Sequence, residues 1–134
     1  MKKTFIKGLA LLPLASLTTS FVHAEGETTP TFPALQHAYA SNYVSDDKGY
    51  VSKANLARVV PGIKKRDVYA LIGTPHFNEG LFGVRRWNYV LYLYAPEIKH
   101  YATCQYQVQF DGHSRVSATY WNTHACENLA KNTD

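Results

Sequence analysis

Two cysteines and a scatter of six histidines are the side chains best suited to chemistry in this chain. His100-x-x-x-Cys104 and His124-x-Cys126 together offer a two-Cys, two-His set, a donor combination that zinc accepts. Their spacing is that of no zinc finger. The same two cysteines, in an oxidising compartment, would instead close a disulfide. A cysteine nucleophile needs a free thiolate beside a base, which a disulfide removes. No serine stands in a G-x-S-x-G setting, and there is no H-E-x-x-H, phosphate loop or dinucleotide fingerprint. Asp46 and Asp47 are adjacent carboxylates that point different ways, as in a solvated turn. An active site, a metal and a cofactor are therefore not expected.

The amino terminus decides between zinc and a disulfide. Lys2, Lys3 and Lys7 precede an apolar run from Leu9 to Val22, and Val22-His23-Ala24 offers small residues to a signal peptidase. Pro13, Ser16, Thr18, Thr19 and Ser20 interrupt the run, whereas a spanning helix needs about 20 predominantly apolar residues. Residues 1–24 are read as a cleaved export signal, and the remainder as periplasmic. The expected disulfide, Cys104 to Cys126, closes a loop of about 22 residues and is worth about 3 kcal/mol on the chain-entropy model. Of the 14 lysines and arginines, three leave with the signal while all ten acids stay, so the exported part is nearly neutral. Lys64-Lys65-Arg66 and Arg85-Arg86 are too small for a nucleic-acid footprint.

The elements that must position these residues follow from periodicity. Residues 25–50 read as a flexible or irregular lead-in, polar and proline-bearing at first, and residues 51–134 as one domain. Leu56, Val59, Val60 and Ile63 fall on one helical face, interrupted by Pro61-Gly62. A second helix is expected over Lys64–Ile72, with Val68, Leu71 and Ile72 inward and Gly73 and Pro75 ending it. Three strands follow. Trp87, Tyr89, Leu91 and Leu93 alternate with polar or aromatic neighbours, and Ala102, Cys104, Tyr106, Val108 and Phe110 alternate with Thr103 and three glutamines. Val116, Ala118 and Tyr120 mark the inward side of the third strand. Phe110 opposite Val116 requires a three-residue loop, Gly112-His113-Ser114, with one residue in the left-handed region. Continued without interruption, this register sets Tyr106 opposite Tyr120 and turns Thr119 and Trp121 outward. The fold class is α+β: two short helices packed on a three-stranded antiparallel sheet.

The string from Val60-Pro61-Gly62 through Leu71-Ile72-Gly73-Thr74-Pro75, followed by Trp87-Asn88-Tyr89, resembles the SmpA/OmlA family, the BamE-like fold of outer-membrane assembly factors. With residues 75–87, 103–111, Trp121 and Cys126, it is similar to the N-terminal BamE-like module of envelope proteins that continue into an OmpA-type peptidoglycan-binding domain. No such domain is expected after Cys126 here, and no cysteine near residue 24 offers a lipid anchor. Lys64 stands where the family usually has a Ser or Thr N-cap, a loss of about 1 kcal/mol. The resemblance implies a non-catalytic adaptor that docks on outer-membrane or cell-wall-associated proteins, with peripheral contact to the outer membrane. A secreted single-domain inhibitor, resembling one half of the β-lactamase inhibitor proteins, is the alternative.

Two surfaces are candidates for partner contact. Tyr92, Tyr94 and Trp121 stand on the outward sheet face, and tyrosine and tryptophan suit interfaces because they join apolar area to a polar handle. Residues 34–50 could equally cover that face and make the aromatics core. Phe77, Leu81 and Phe82 lie in a glycine-bearing loop that is either an interaction tip or a lid folded on the core.

Overall fold

The computed structural model describes Gly8 and residues 30–40, 49–80 and 82–132. The expected signal lies outside the described residues except for Gly8, as do Asp46, Asp47 and Leu81. Within the described residues the order is α1 (Leu35–Ala40), α2 (Lys53–Ala57), α3 (Lys65–Ile72), β1 (Arg86–Ala95), β2 (His100–Phe110), β3 (Val116–Trp121) and α4 (His124–Lys131). The strands form one antiparallel sheet in the order β1-β2-β3. The α+β class and the three-stranded meander agree with the periodicity; α1 and α4 are additions to the two expected helices.

The inward sheet face is the core. Tyr89, Leu91 and Leu93 of β1, Cys104, Tyr106, Val108 and Phe110 of β2, and Val116 of β3 pack with Leu56, Val59, Val68, Ile72 and Cys126. α2 is shorter than its apolar stripe, ending at Ala57 with Arg58 as C-cap, so Val60 is exposed while Val59 is buried. Gly62 and Gly73 adopt positive φ at the two places where the chain must turn. The N-cap of α3 is Lys64, whose ammonium can accept nothing. Asp67 supplies half of a capping box by accepting from the Lys64 N–H at 3.3 Å. The hairpin supplies the rest: Lys65 N–H donates to the Ser114 carbonyl at 2.9 Å, and Val116 N–H to the Ile63 carbonyl at 2.9 Å. The missing cap is thus offset by stitching the helix start to the β2–β3 turn.

That turn has the expected form. Asp111 N–H donates to the Arg115 carbonyl at 2.8 Å, Ser114 sits at φ 58°, and the Asp111 carboxylate accepts from His113 and Arg115 N–H groups. Phe110 opposes Val116 as expected, but Gln109 opposes Ala118, so Ser117 is an extra residue. A bulge of one residue exchanges the faces of everything beyond it. Trp121 therefore opposes Tyr106, with ring centroids 4.4 Å apart, and Thr119 opposes Val108. The expectation that Thr119 and Trp121 look outward is corrected by this single residue.

Cys104 and Cys126 are bonded, with Cα atoms 5.7 Å apart, and both are buried. The bridge ties α4 to the inward face of β2. Thr123 caps α4 by accepting from Cys126 N–H at 3.1 Å, and Glu127 pairs with Lys131 one turn on at 2.6 Å. With both sulfurs in the bridge, the two-Cys, two-His zinc set is ruled out. Among the described residues no three His, Cys, Asp or Glu side chains gather as a metal site, and no helix is long and apolar enough to cross a membrane.

Candidate interaction surfaces

The register defines the outward face: Arg86, Asn88, Val90, Tyr92 and Tyr94 on β1, opposite Gln109, Gln107, Gln105, Thr103 and Tyr101 on β2. It divides into two halves. Residues 30–38 lie over the half built from Asn88, Val90, Gln105 and Gln107. Ala38, Phe77 and Val90 are buried there as a second small core, with Tyr92 packed at its border. The covering reading is correct for this half, with α1 as the cover. Phe77 is consequently a packing residue, only 6% exposed.

The other half is open and aromatic. Tyr50 packs on Tyr92 with centroids 5.1 Å apart and meets Tyr101 edge-on at 5.0 Å, while Tyr94 meets Tyr101 at 5.5 Å. Tyr50, Tyr94 and Tyr101 remain exposed, and Ile98 in the adjoining turn joins them. Each exposed tyrosine keeps its hydroxyl for a partner while its ring is fixed by neighbours, which lowers the entropy lost on binding. Gly49 sets this geometry. Its carbonyl accepts from Tyr92 N–H at 2.7 Å, and a Cβ at residue 49 would run into the Tyr92 ring. Tyr50 and Tyr101 were missed as candidates by sequence reasoning. The opposition of Tyr94 and Tyr101 across the β1–β2 hairpin was the available signal.

Among the described residues, Phe82 is the most exposed large apolar side chain, at 93%. A lone exposed apolar residue is ordinary; here the loop around it is anchored on both sides. On the α3 side, His76 N–H donates to the Asn88 carbonyl at 2.9 Å, and His76 Nδ1 accepts from Val90 N–H at 2.8 Å. Glu79 accepts from the Asn88 amide. On the β1 side, the Lys65 ammonium donates to the Val84 carbonyl while lying over the Trp87 and Phe110 rings, 5.2 and 4.8 Å from their centroids. Burial pulls the Lys65 ammonium below its usual range. The anchors hold Phe82 out rather than folding it onto the core. His76 also caps the free edge of β1, the position most prone to unwanted pairing.

Trp121 lines an apolar cleft of about 420 Å³ between α2 and α4, with Leu56, Val59, Tyr106 and Ala130 among its walls. This cleft exists because α4 folds back, so it could not be foreseen without that helix. The phenols near it are not acid–base groups at neutral pH. Burial pushes Tyr106 up to about 12, and burial with the nearby Tyr106 pushes Tyr89 higher still; the Tyr89 hydroxyl donates to the Gly73 carbonyl at 3.0 Å.

Tyr92, Tyr94 and the newly found Tyr50 and Tyr101 are therefore brought together, whereas Phe82 stands apart, Phe77 is buried and Trp121 lines the cleft between α2 and α4. Residues 48–120, just over half of the chain, match the model of a family described as the outer membrane protein assembly factor BamE domain. The match spans α2, α3, β1, β2 and β3 as far as Tyr120; α1 and α4 lie outside it.

Proposed function

The chain belongs to the BamE family of outer membrane protein assembly factor domains, and on that premise we propose that it is a non-catalytic periplasmic adaptor contributing to outer-membrane protein assembly. The observation that carries the proposal is the family match across the helix–helix–sheet unit. The surface supports it. Exposed Tyr50, Tyr94 and Tyr101 form a pre-ordered aromatic patch, and Phe82 projects from an anchored loop. Aromatic anchors of this kind dominate protein-binding energy. The partner class is an outer-membrane or wall-associated envelope protein.

Cross-linking in intact envelopes, followed by capture of the tagged chain, tests this reading with Phe82→Ala and Tyr101→Ala run in parallel. Recovery of outer-membrane assembly proteins, reduced at least severalfold by one of the two substitutions, is the expected result. Capture of one soluble enzyme in a tight one-to-one complex would replace the adaptor by an inhibitor.

A further inference from the structure

The half of the outward sheet face that is covered has an unusual floor. Its central side chains are amides: Gln107 is fully buried and Asn88 nearly so. They form a relay in which Gln109 donates to Gln107 at 2.8 Å, Gln107 to Asn88 at 2.9 Å, and Asn88 to the Glu79 carboxylate. Two donors of this floor point at the covering segment. Gln105 donates to the Pro33 carbonyl at 2.7 Å and Gln107 to the Thr31 carbonyl at 2.9 Å. The two glutamines are two residues apart on β2, as are the two carbonyls on the segment. Strand and extended chain both rise about 3.1–3.4 Å per residue, so the spacings match along the whole contact. Pro30-Thr31-Phe32-Pro33 thus lies extended and antiparallel over β2, read through its carbonyls. Two of its four residues have no N–H to satisfy, which suits a floor that supplies only donors here.

This cover is lightly held. Among the residues whose burial is described, Ala38 is fully buried with Phe32 and Pro33 half-buried, and a cavity of about 330 Å³ remains beside the cover, lined by Phe32, His37, Phe77 and Arg86 among others. Uncovered, the Asn88, Gln105 and Gln107 amides are rehydrated, and Val90 and Phe77 are the apolar side chains left to water. The segment also lies outside the matched residues 48–120, whereas Asn88, Gln105 and Gln107 of the floor lie within them. The geometry points to an acceptor groove, centred on Gln105 and Gln107, for an extended proline-bearing peptide segment of a partner protein, with residues 30–33 as its occupant in cis. This surface adjoins the tyrosine patch at Tyr92, and the proposal stands whether or not that patch or Phe82 holds the assembly partner.

The test uses the full chain, isotopically labelled, and a synthetic peptide copying residues 29–38. Ala38→Glu unseats the cover by placing a charge at a fully buried position; Pro33→Gly loosens it without a charge. Apparent affinity scales with the fraction of open groove, so the peptide is expected to bind either variant at least about tenfold more tightly than the parent chain. Saturable shifts should centre on the Gln105, Gln107 and Asn88 side-chain amides, and a peptide with both prolines changed to glycine should bind at least about tenfold more weakly. Equal affinity for all three chains, shifts centred elsewhere, or indifference to the prolines would overturn the proposal. So would displacement of the peptide by dimerisation of the unlabelled chain, which would make a second copy the occupant.

Discussion

Replacing both Cys104 and Cys126 by alanine removes the disulfide that cross-links α4 to β2. The bridge closes 22 residues, and the unfolded chain regains loop entropy worth about 3 kcal/mol when it is absent. For a domain of about 100 residues each kcal/mol moves the melting temperature by about 4–8 °C, so a fall of about 12–24 °C is expected. The loss should be uneven. α4 has eight residues, too few to persist alone; its exposed Glu127–Lys131 pair adds little. Leu129 and Ala130 are then its remaining apolar hold on the core. Amide exchange at Glu127 and Asn132, whose N–H groups bond within the helix and its cap, should accelerate before the sheet amides do. The Trp121 ring, in the cleft that α4 closes, should report the same event by a fluorescence shift to longer wavelength. Thermal denaturation followed by circular dichroism, with hydrogen exchange read residue by residue, measures both. A melting temperature lowered by less than about 4 °C, with α4 still protected, would refute the reasoning, since α4 would then be held by packing alone.

Further outcomes follow from other residues. Gly49→Ala drives a Cβ into the Tyr92 ring and should cost about 1–3 kcal/mol, with faster exchange of the Tyr92 amide that bonds the Gly49 carbonyl. The Asp111 carboxyl is held below its usual range by the Arg115 N–H first and the His113 N–H next. Its folded pKa is depressed, so its contribution is present above the unfolded value of about 4 and is lost as pH falls through the folded one. Asp111→Ala should therefore flatten the acid limb of a stability–pH profile. Tyr106 is raised to about 12 and Tyr89 is raised further, by burial in both cases. Their contribution is complete below about pH 10 and disappears as pH rises towards the folded values, so alkaline unfolding should coincide with ionisation of the last tyrosines seen by absorbance. Phe82→Ala, at a site 93% exposed, should change stability by no more than about 0.5 kcal/mol.

Much of the frame was legible in the sequence. Val68, Ile72 and Gly73 marked α3 and its end, and the alternation from Ala102 to Phe110 gave β2 its buried face. Phe110 opposite Val116 gave the hairpin loop, and the even cysteine count gave the bridge. The bulge at Ser117 had no signal, because Ala118, Thr119, Tyr120 and Trp121 suit either face of a strand. α4 offered only Cys126, Leu129 and Ala130 at helical spacing among polar residues, too short a stripe to outweigh a coil. The cover over the outward face was hidden for a different reason. Pro30 and Pro33 read as a lead-in, and a carbonyl waiting for a glutamine has no sequence signature. The three alternating glutamines read as solvent-facing, yet Gln107 is fully buried.

The most direct test of the adaptor reading is a photo-crosslinking residue placed in turn at Phe82, Tyr101 and His124 of the full chain in living cells. All three positions are exposed, so each reports what touches its own surface. Adducts with outer-membrane assembly proteins at residue 82 or 101, and none at residue 124, are the expected result. The same adducts at all three positions, or adducts with a soluble enzyme alone, would contradict it.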